Sequence, residues 1–152
     1  MPKDRFSEFV FKVERLSKCL KKLEMMTAER LGIKEVHIFW IYALIDHPEG
    51  LTASELARIN SINRSLVSRE IKELEKKSII RYRSSGSADN KYNAKIVLTE
   101  KGIEIARAIY HAGIRAQVKA RRRIAKDDLR AFYSVLDIMT NNLLEITDLS
   151  KR

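Results

Sequence analysis

The chain has 152 residues, 45% of them apolar and 33% charged, and carries a net charge of +10. That length fits one domain with a real core, and the single Cys rules out an intrachain disulfide, in keeping with a reducing cytosol. Five Gly and two Pro, scattered among long periodic segments, indicate a mainly helical architecture, and the basic excess favours a polyanion, either nucleic acid or an anionic membrane surface.

The N-terminus MPKDRFSEF has no apolar core of signal-peptide length. The longest apolar run, Ile38–Ile45, is far too short to span a bilayer. The expectation is a soluble, cytoplasmic protein with no membrane partner. The first helix places Phe6, Phe9, Val13, Leu16, Leu20 and Leu23 at alternating steps of three and four, a narrow heptad seam. A second helix spans Ile33–Ile45, with Ile33, Val36, Trp40, Ala43 and Leu44 inward, and Asp46–Gly50 stops it.

Thr52-Ala53-Ser54-Glu55 reads as a capping box, Thr at the cap and Glu three residues on. It opens a short helix that buries Leu56 and Ile59, and the chain then turns through Asn60–Ile62. Asn63 caps the next helix, whose inward residues Val67, Ile71 and Leu74 recur at i, i+4 and i+7. Two short β runs follow, Ile79–Arg83 and Lys95–Thr99, joined by a polar segment whose Ser84–Asn90 part is expected to be the most mobile. Thr99 caps a long helix from Glu100 toward Arg123. A last helix, marked by Asp127 and Asp128, repeats the seam with Leu129, Phe132, Leu136, Met139, Leu143 and Ile146. Seams at both ends of so small a chain suggest a dimer built from them, the other reading being that each helix covers its own domain.

Helix, turn, helix and hairpin in that order make a winged helix-turn-helix, whose partner is duplex DNA. The outer face of the second helix carries Asn63, Arg64, Ser65, Ser68, Arg69 and Lys72. Short hydroxyls let backbone approach the groove floor, and an Arg guanidinium can donate twice to the O6/N7 edge of guanine. Glu70 and Glu73 are placed on the flank of that helix, within reach of Lys77. From Arg58 to Lys95 ten Lys/Arg face four acids, so a quarter of the chain holds more than half of the net charge. Arg81, Arg83, Asn90, Lys91 and Lys95 put part of that charge on the wing.

The segments LTASELARI, NRSLVSREIKELEKKSII and KIVLTEKG together resemble the winged-helix core of the MarR (multiple-antibiotic-resistance regulator) family. The flanking helices also sit where that family places its dimer domain, so the resemblance covers nearly the whole chain. It implies a single protomer with dimerisation helices at 5–30 and 103–150 and a DNA-binding lobe at 33–102. It further implies a homodimeric transcription regulator, a repressor, on a pseudo-palindromic operator, with Ser65, Ser68 and Arg69 facing bases. An effector, a small molecule or a redox signal, would bind between dimer helices and lobe, near Trp40, Tyr110 and His111. Two departures stand out: Ser78 occupies the place of the usual Gly after the recognition helix, and Lys91 that of the usual wing Arg.

Cys19, between Lys18 and Lys21, has two readings: a redox thiol of the kind the family's peroxide sensors carry on the leading helix, or a small buried hydrophobe. The latter is the expectation. His37, His47 and His111 lack metal-ligand spacing and read as surface or capping residues, so no metal or other cofactor is expected. Arg115, Lys119 and Arg121–Arg123 form a basic cluster that either touches DNA flanks or solvates a helix junction. No Ser-His-Asp set, phosphate loop or paired-carboxylate cleft can be assembled, and the chain does not read as an enzyme. The alternative readings are a winged helix used as a protein-interaction adaptor and a non-specific architectural DNA-binding protein.

Overall fold

The structure, a computed structural model, describes residues 5–59, 64–83 and 94–149; the side chains of Arg64, Ser65, Asp148 and Leu149 lie outside it. In chain order it holds α1 (Arg5–Arg30), α2 (Glu35–Asp46), α3 (Ala53–Ile59), α4 (Arg64–Lys76), β1 (Ile80–Tyr82), β2 (Ile96–Leu98), α5 (Glu100–Ala120) and α6 (Lys126–Leu149). The architecture is therefore mainly α with a small antiparallel hairpin, paired Ile80 to Leu98, Arg81 to Val97 and Tyr82 to Ile96. The turn Asn60–Ile62, the cap Asn63 and the Ser84–Asn90 segment lie outside the described residues.

Two compact units divide the chain, Met1–Ala112 and Gly113–Arg152. The core belongs to the first. Trp40 and Ile41 of α2, Leu56 of α3, Val67, Ile71 and Leu74 of α4, Ile79, Ile80 and Ile96 at the hairpin, and Ala106 and Ile109 of α5 are all buried. Each large side chain removed from water in this way contributes on the order of 1.5–3 kcal/mol, which is what fixes three short helices around one sheet. The inward face of α3 centres on Leu56 with Ala53 and Ala57 beside it. Ile59, expected inward, closes that seven-residue helix and is half exposed.

Local chemistry sets the element ends. Glu55 N–H donates to Thr52 Oγ1 (3.2 Å) while Thr52 N–H donates to Glu55 Oε2 (2.7 Å), the reciprocal box read from the sequence. Thr99 Oγ1 accepts from Gly102 N–H at 3.0 Å and so caps α5. That helix stops at Ala120, short of Arg123, whose φ of 66° breaks the helical run. Two helices end in the same 6→1, 5→2 hydrogen-bond pattern. At α1, Ile33 N–H donates to Ala28 O (3.0 Å) and Gly32 N–H to Glu29 O (3.1 Å); at α4, Ile79 N–H donates to Leu74 O (3.0 Å) and Ser78 N–H to Glu75 O (2.8 Å). The left-handed residue is Gly32 in one and Ser78 in the other, with φ of 66° and 57°.

The terminal helices keep their apolar seams open. On α1, Phe6, Val13, Leu16, Leu20 and Leu23 are exposed and Phe9 is half-buried. On α6, Phe132, Leu136 and Leu143 are exposed, with Leu129 and Met139 half-buried. Among the described residues no helix is long and apolar enough to cross a membrane.

Candidate nucleic-acid interface

Burial of Val67, Ile71 and Leu74 fixes the rotation of α4, because residues at these spacings share one face of a 3.6-residue helix. The same period turns Ser68, Arg69 and Lys72 outward, and all three are exposed. Lys76 continues the row one turn beyond Lys72 and is exposed too; sequence reasoning passed over it, although its i+4 spacing from Lys72 marks it. Arg64 and Ser65 belong to the first turn of α4, with side chains outside the described residues, and Asn63 lies outside them altogether.

The wing residues divide by their partners. Arg81 is exposed, opposite Val97, and its side chain makes no ion pair or hydrogen bond among the described residues. Arg83 instead donates from its guanidinium to Glu49 O at 3.1 Å. Lys95 is half-buried and pairs with Glu55 at 3.1 Å. The Thr52 backbone N–H, the Lys95 ammonium and the Thr52 hydroxyl hold the Glu55 carboxyl at about 2. Two of the wing cations thus tie the hairpin stem down, Lys95 to the first turn of α3 and Arg83 to the turn that precedes it. Asn90 and Lys91 lie outside the described residues.

Behind α4 stands a polar cluster that corrects the reading of Glu70 as a flank residue and of His37 as a surface residue. Both are buried, because Glu70 precedes Ile71 on the inward side and meets His37 from the first turn of α2. His37 Nε2 lies 2.9 Å from Glu70 Oε2, and Lys34 Nζ lies 2.9 Å from the same oxygen. Lys34 also pairs with Glu73, which in turn takes Lys77 at 3.3 Å as expected. His37 Nδ1 accepts the Lys34 backbone N–H at 3.2 Å, so the capping half of its reading holds. That contact leaves the imidazole proton on Nε2, donated to Glu70. Burial lowers the pKa of His37 against the opposing pull of Glu70 and Glu73. For Glu70, burial pushes the carboxyl up, but hydrogen bonds from Lys34 and His37 outweigh it and the carboxyl ends below its ordinary value. A neutral imidazole therefore faces an ionised carboxylate.

His37, Glu70 and Glu73 also form the one group of metal-ligand types close together among the described residues, their ligand atoms within 4.8 Å of one another. The donor set does not suit an ion. Its cation place is taken by the Lys34 ammonium, and Nε2 carries a proton where a ligand needs a lone pair.

Of the remaining candidates, Trp40 is fully buried, and its Nε1 has no hydrogen-bond partner among the described residues. Tyr110 and His111 are exposed and stack edge to face at 5.8 Å. Cys19 is exposed as a free thiol on α1, so the buried-hydrophobe reading does not hold for the protomer; the helix turns it to the side that no core residue covers. His47 sits half-buried beside Glu49 at 3.0 Å in the turn after α2. Arg115, Lys119 and Arg121–Arg123 are exposed.

A helix held by its apolar face across a shorter helix, with an antiparallel hairpin behind it, defines a winged helix-turn-helix. The family described as MarR family matches residues 31–88. Among solved structures, a MarR family transcription regulator matches at TM-score 0.85 and 19% identity, over 95% of this chain and 94% of that one. Staphylococcus aureus MarR in complex with salicylate and kanamycin matches at TM-score 0.79 and 20% identity, over 91% of each chain. A Staphylococcus aureus MepR variant bound to an oligodeoxyribonucleotide matches at TM-score 0.62 and 20% identity, over 89% of this chain and 97% of that one. No curated protein matches the chain. Residues 31–88 match the MarR family, and the chain shares its fold with solved regulators of that family.

Proposed function

We propose that the chain is a sequence-specific, double-stranded-DNA-binding transcription regulator, a cytoplasmic repressor that acts as a homodimer on a pseudo-palindromic operator. The observation that carries the reading is the exposed row Ser68, Arg69, Lys72 and Lys76 on the face of α4 opposite its buried Val67, Ile71 and Leu74. Arg69 reads guanine through its planar fork, Ser68 admits close approach, and Lys72 and Lys76 hold phosphate. Arg64 and Ser65, at the start of the same helix, complete the base-facing set. Arg81 and Lys91 take the wing's phosphates, while Arg83 and Lys95 fix its stem. The nucleotide bound by the MepR variant supports this partner class.

The open seams of α1 and α6 support self-association, since large apolar side chains lined up along a helix have to be covered. Two copies then present their α4 helices to half-sites one DNA turn apart. A small-molecule effector acts by changing that spacing. Salicylate on the Staphylococcus aureus MarR supports the class of ligand, and its place is taken to be a crevice between α1, α2 and α5, near Trp40, Tyr110 and His111.

The test is selection of genomic DNA fragments by the purified protein, followed by Arg69→Ala. Discrimination should relax at one or two base pairs by about 1–3 kcal/mol. Unchanged discrimination would remove Arg69, and with it the assigned face of α4, from base recognition. An adaptor would present an apolar outer face on α4, which this row is not, and an architectural protein would retain no fragment preferentially.

A further inference from the structure

The turn between α1 and α2, together with the first turn of α2, is fastened to α4 and its end at four points. Lys34 holds Glu70 at 2.9 Å and also pairs with Glu73. His37 Nε2 reaches Glu70 Oε2 at 2.9 Å. Just past the end of α4, Lys77 Nζ donates to Gly32 O at 2.8 Å. Glu70 is the hub of the set, and only 7% of its side chain is exposed. Packing alone does not require a carboxylate there, because an apolar side chain of similar volume fills such a place at equal or lower cost. What the polar set adds is direction. Charge-assisted hydrogen bonds from fixed donors select one rotation of α4 about its axis and one height along it, whereas apolar contacts tolerate slippage.

We propose that Glu70, gripped by Lys34 and His37, is a positioning residue that sets the rotation of α4 relative to the end of α1, and so the register of the outward row on the bases. The inference rests on the reading of α4 as the recognition helix. His37 makes the grip sensitive to acid. Glu70 and Glu73 face it from α4, Lys34 from the turn, and Trp40 from its own helix, with ring centroids 6.2 Å apart. A second proton on His37 has to enter at Nδ1, which already accepts the Lys34 N–H. Protonation therefore breaks the cap of α2 at the point where Lys34 is anchored.

The measurement is the ratio of affinity for a selected operator to affinity for random DNA at one salt concentration. A reduced folded fraction cancels in that ratio, so loss of stability alone does not move it. Glu70→Gln keeps the shape and an acceptor for His37 but loses the ion pair; the ratio should fall about 2- to 30-fold, with random-DNA affinity unchanged or slightly tighter. The double variant Lys34→Met/Glu70→Met, which buries no lone charge at Glu70, should lower it likewise. Trp40 is the only Trp, and an imidazolium beside it quenches its fluorescence, so His37 can be titrated without DNA. In the wild-type protein the ratio should decline across that fluorescence step, and both the step and the decline should vanish in His37→Gln. An unchanged ratio in the Glu70 variants, or a wild-type ratio flat across the step, overturns the inference while the DNA-binding reading stands. A wild-type protein that prefers no DNA overturns both.

Discussion

Ser78 and Gly32 form a natural exchange pair, because two helices of one chain end in the same hydrogen-bonded motif with different residues at its left-handed position. The φ angles are 57° at Ser78 and 66° at Gly32. An L-residue held in that region costs about 1–2 kcal/mol against the right-handed one. Gly escapes the penalty but gives back about 0.5–1 kcal/mol through the greater freedom of its unfolded backbone. Ser78→Gly should therefore stabilise the protein by about 0.5–1 kcal/mol net. The reverse change, Gly32→Ser, should destabilise by a similar amount for conformational reasons alone, since a Cβ there would meet nothing within 4 Å. For a chain of this size the shift in Tm is about 1–4 °C. The assay is thermal and urea denaturation of wild type, both single variants and the exchanged double variant, at one protein concentration because association couples to stability. The double variant should return close to wild type. If Ser78→Gly brings no gain while Gly32→Ser brings its loss, backbone strain at Ser78 is refuted as a cost to this fold.

Three further outcomes follow from the geometry. The Glu55 carboxyl sits at about 2 against an ordinary 4.5, so its stabilising effect is full above pH 4.5 and is lost as the pH falls toward 2; Glu55→Gln should flatten that stretch of the acid-unfolding curve, and an unaltered curve would dismiss its pairing with Thr52 and Lys95. A Cβ at Gly102 would lie 2.1 Å from Ile79 O, so Gly102→Ala should cost about 1–3 kcal/mol or abolish folding, read by the same denaturation; a neutral result would mean that α5 is not seated there. Arg81→Ala should weaken binding to all DNA alike and reduce the salt slope by about 1, measured by anisotropy over a salt series; a loss confined to particular sequences would make Arg81 a base reader instead.

Elements whose periodicity or caps are local were legible in the sequence. Thr52 and Glu55 announce the start of α3, Thr99 that of α5, and the i, i+4, i+7 spacing of Val67, Ile71 and Leu74 settles which side of α4 looks outward. Contacts between distant positions were not. Nothing in the spacing of Glu70 tells that its partner lies 33 residues earlier in His37, so a buried carboxylate passed for a solvated one. The same holds for Lys95 and Arg83. Their charge is visible in the sequence, but their service to Glu55 and to Glu49 O appears only once the hairpin has folded back. Cys19 failed in the opposite sense, because its surroundings on α1 supply no partner from within the described protomer to cover it.

The stem of the hairpin is sewn to the helix-turn-helix in more than one place. Leu51 and Ile96 exchange backbone hydrogen bonds of 3.1 and 2.8 Å, a single antiparallel bridge just ahead of α3. Lys95 and Arg83 add their side chains to the same seam. The strand ends that flank residues 84–93 are thereby tied to the frame by contacts made outside that segment. A segment between ends tied in this way is expected to tolerate exchange. On the proposed DNA-binding reading, exchanging it for a relative's segment should retune contact with the flanks of a DNA site while the frame that carries α4 keeps its shape. On that reading a new sequence preference is acquired between the tied ends at little cost to folding.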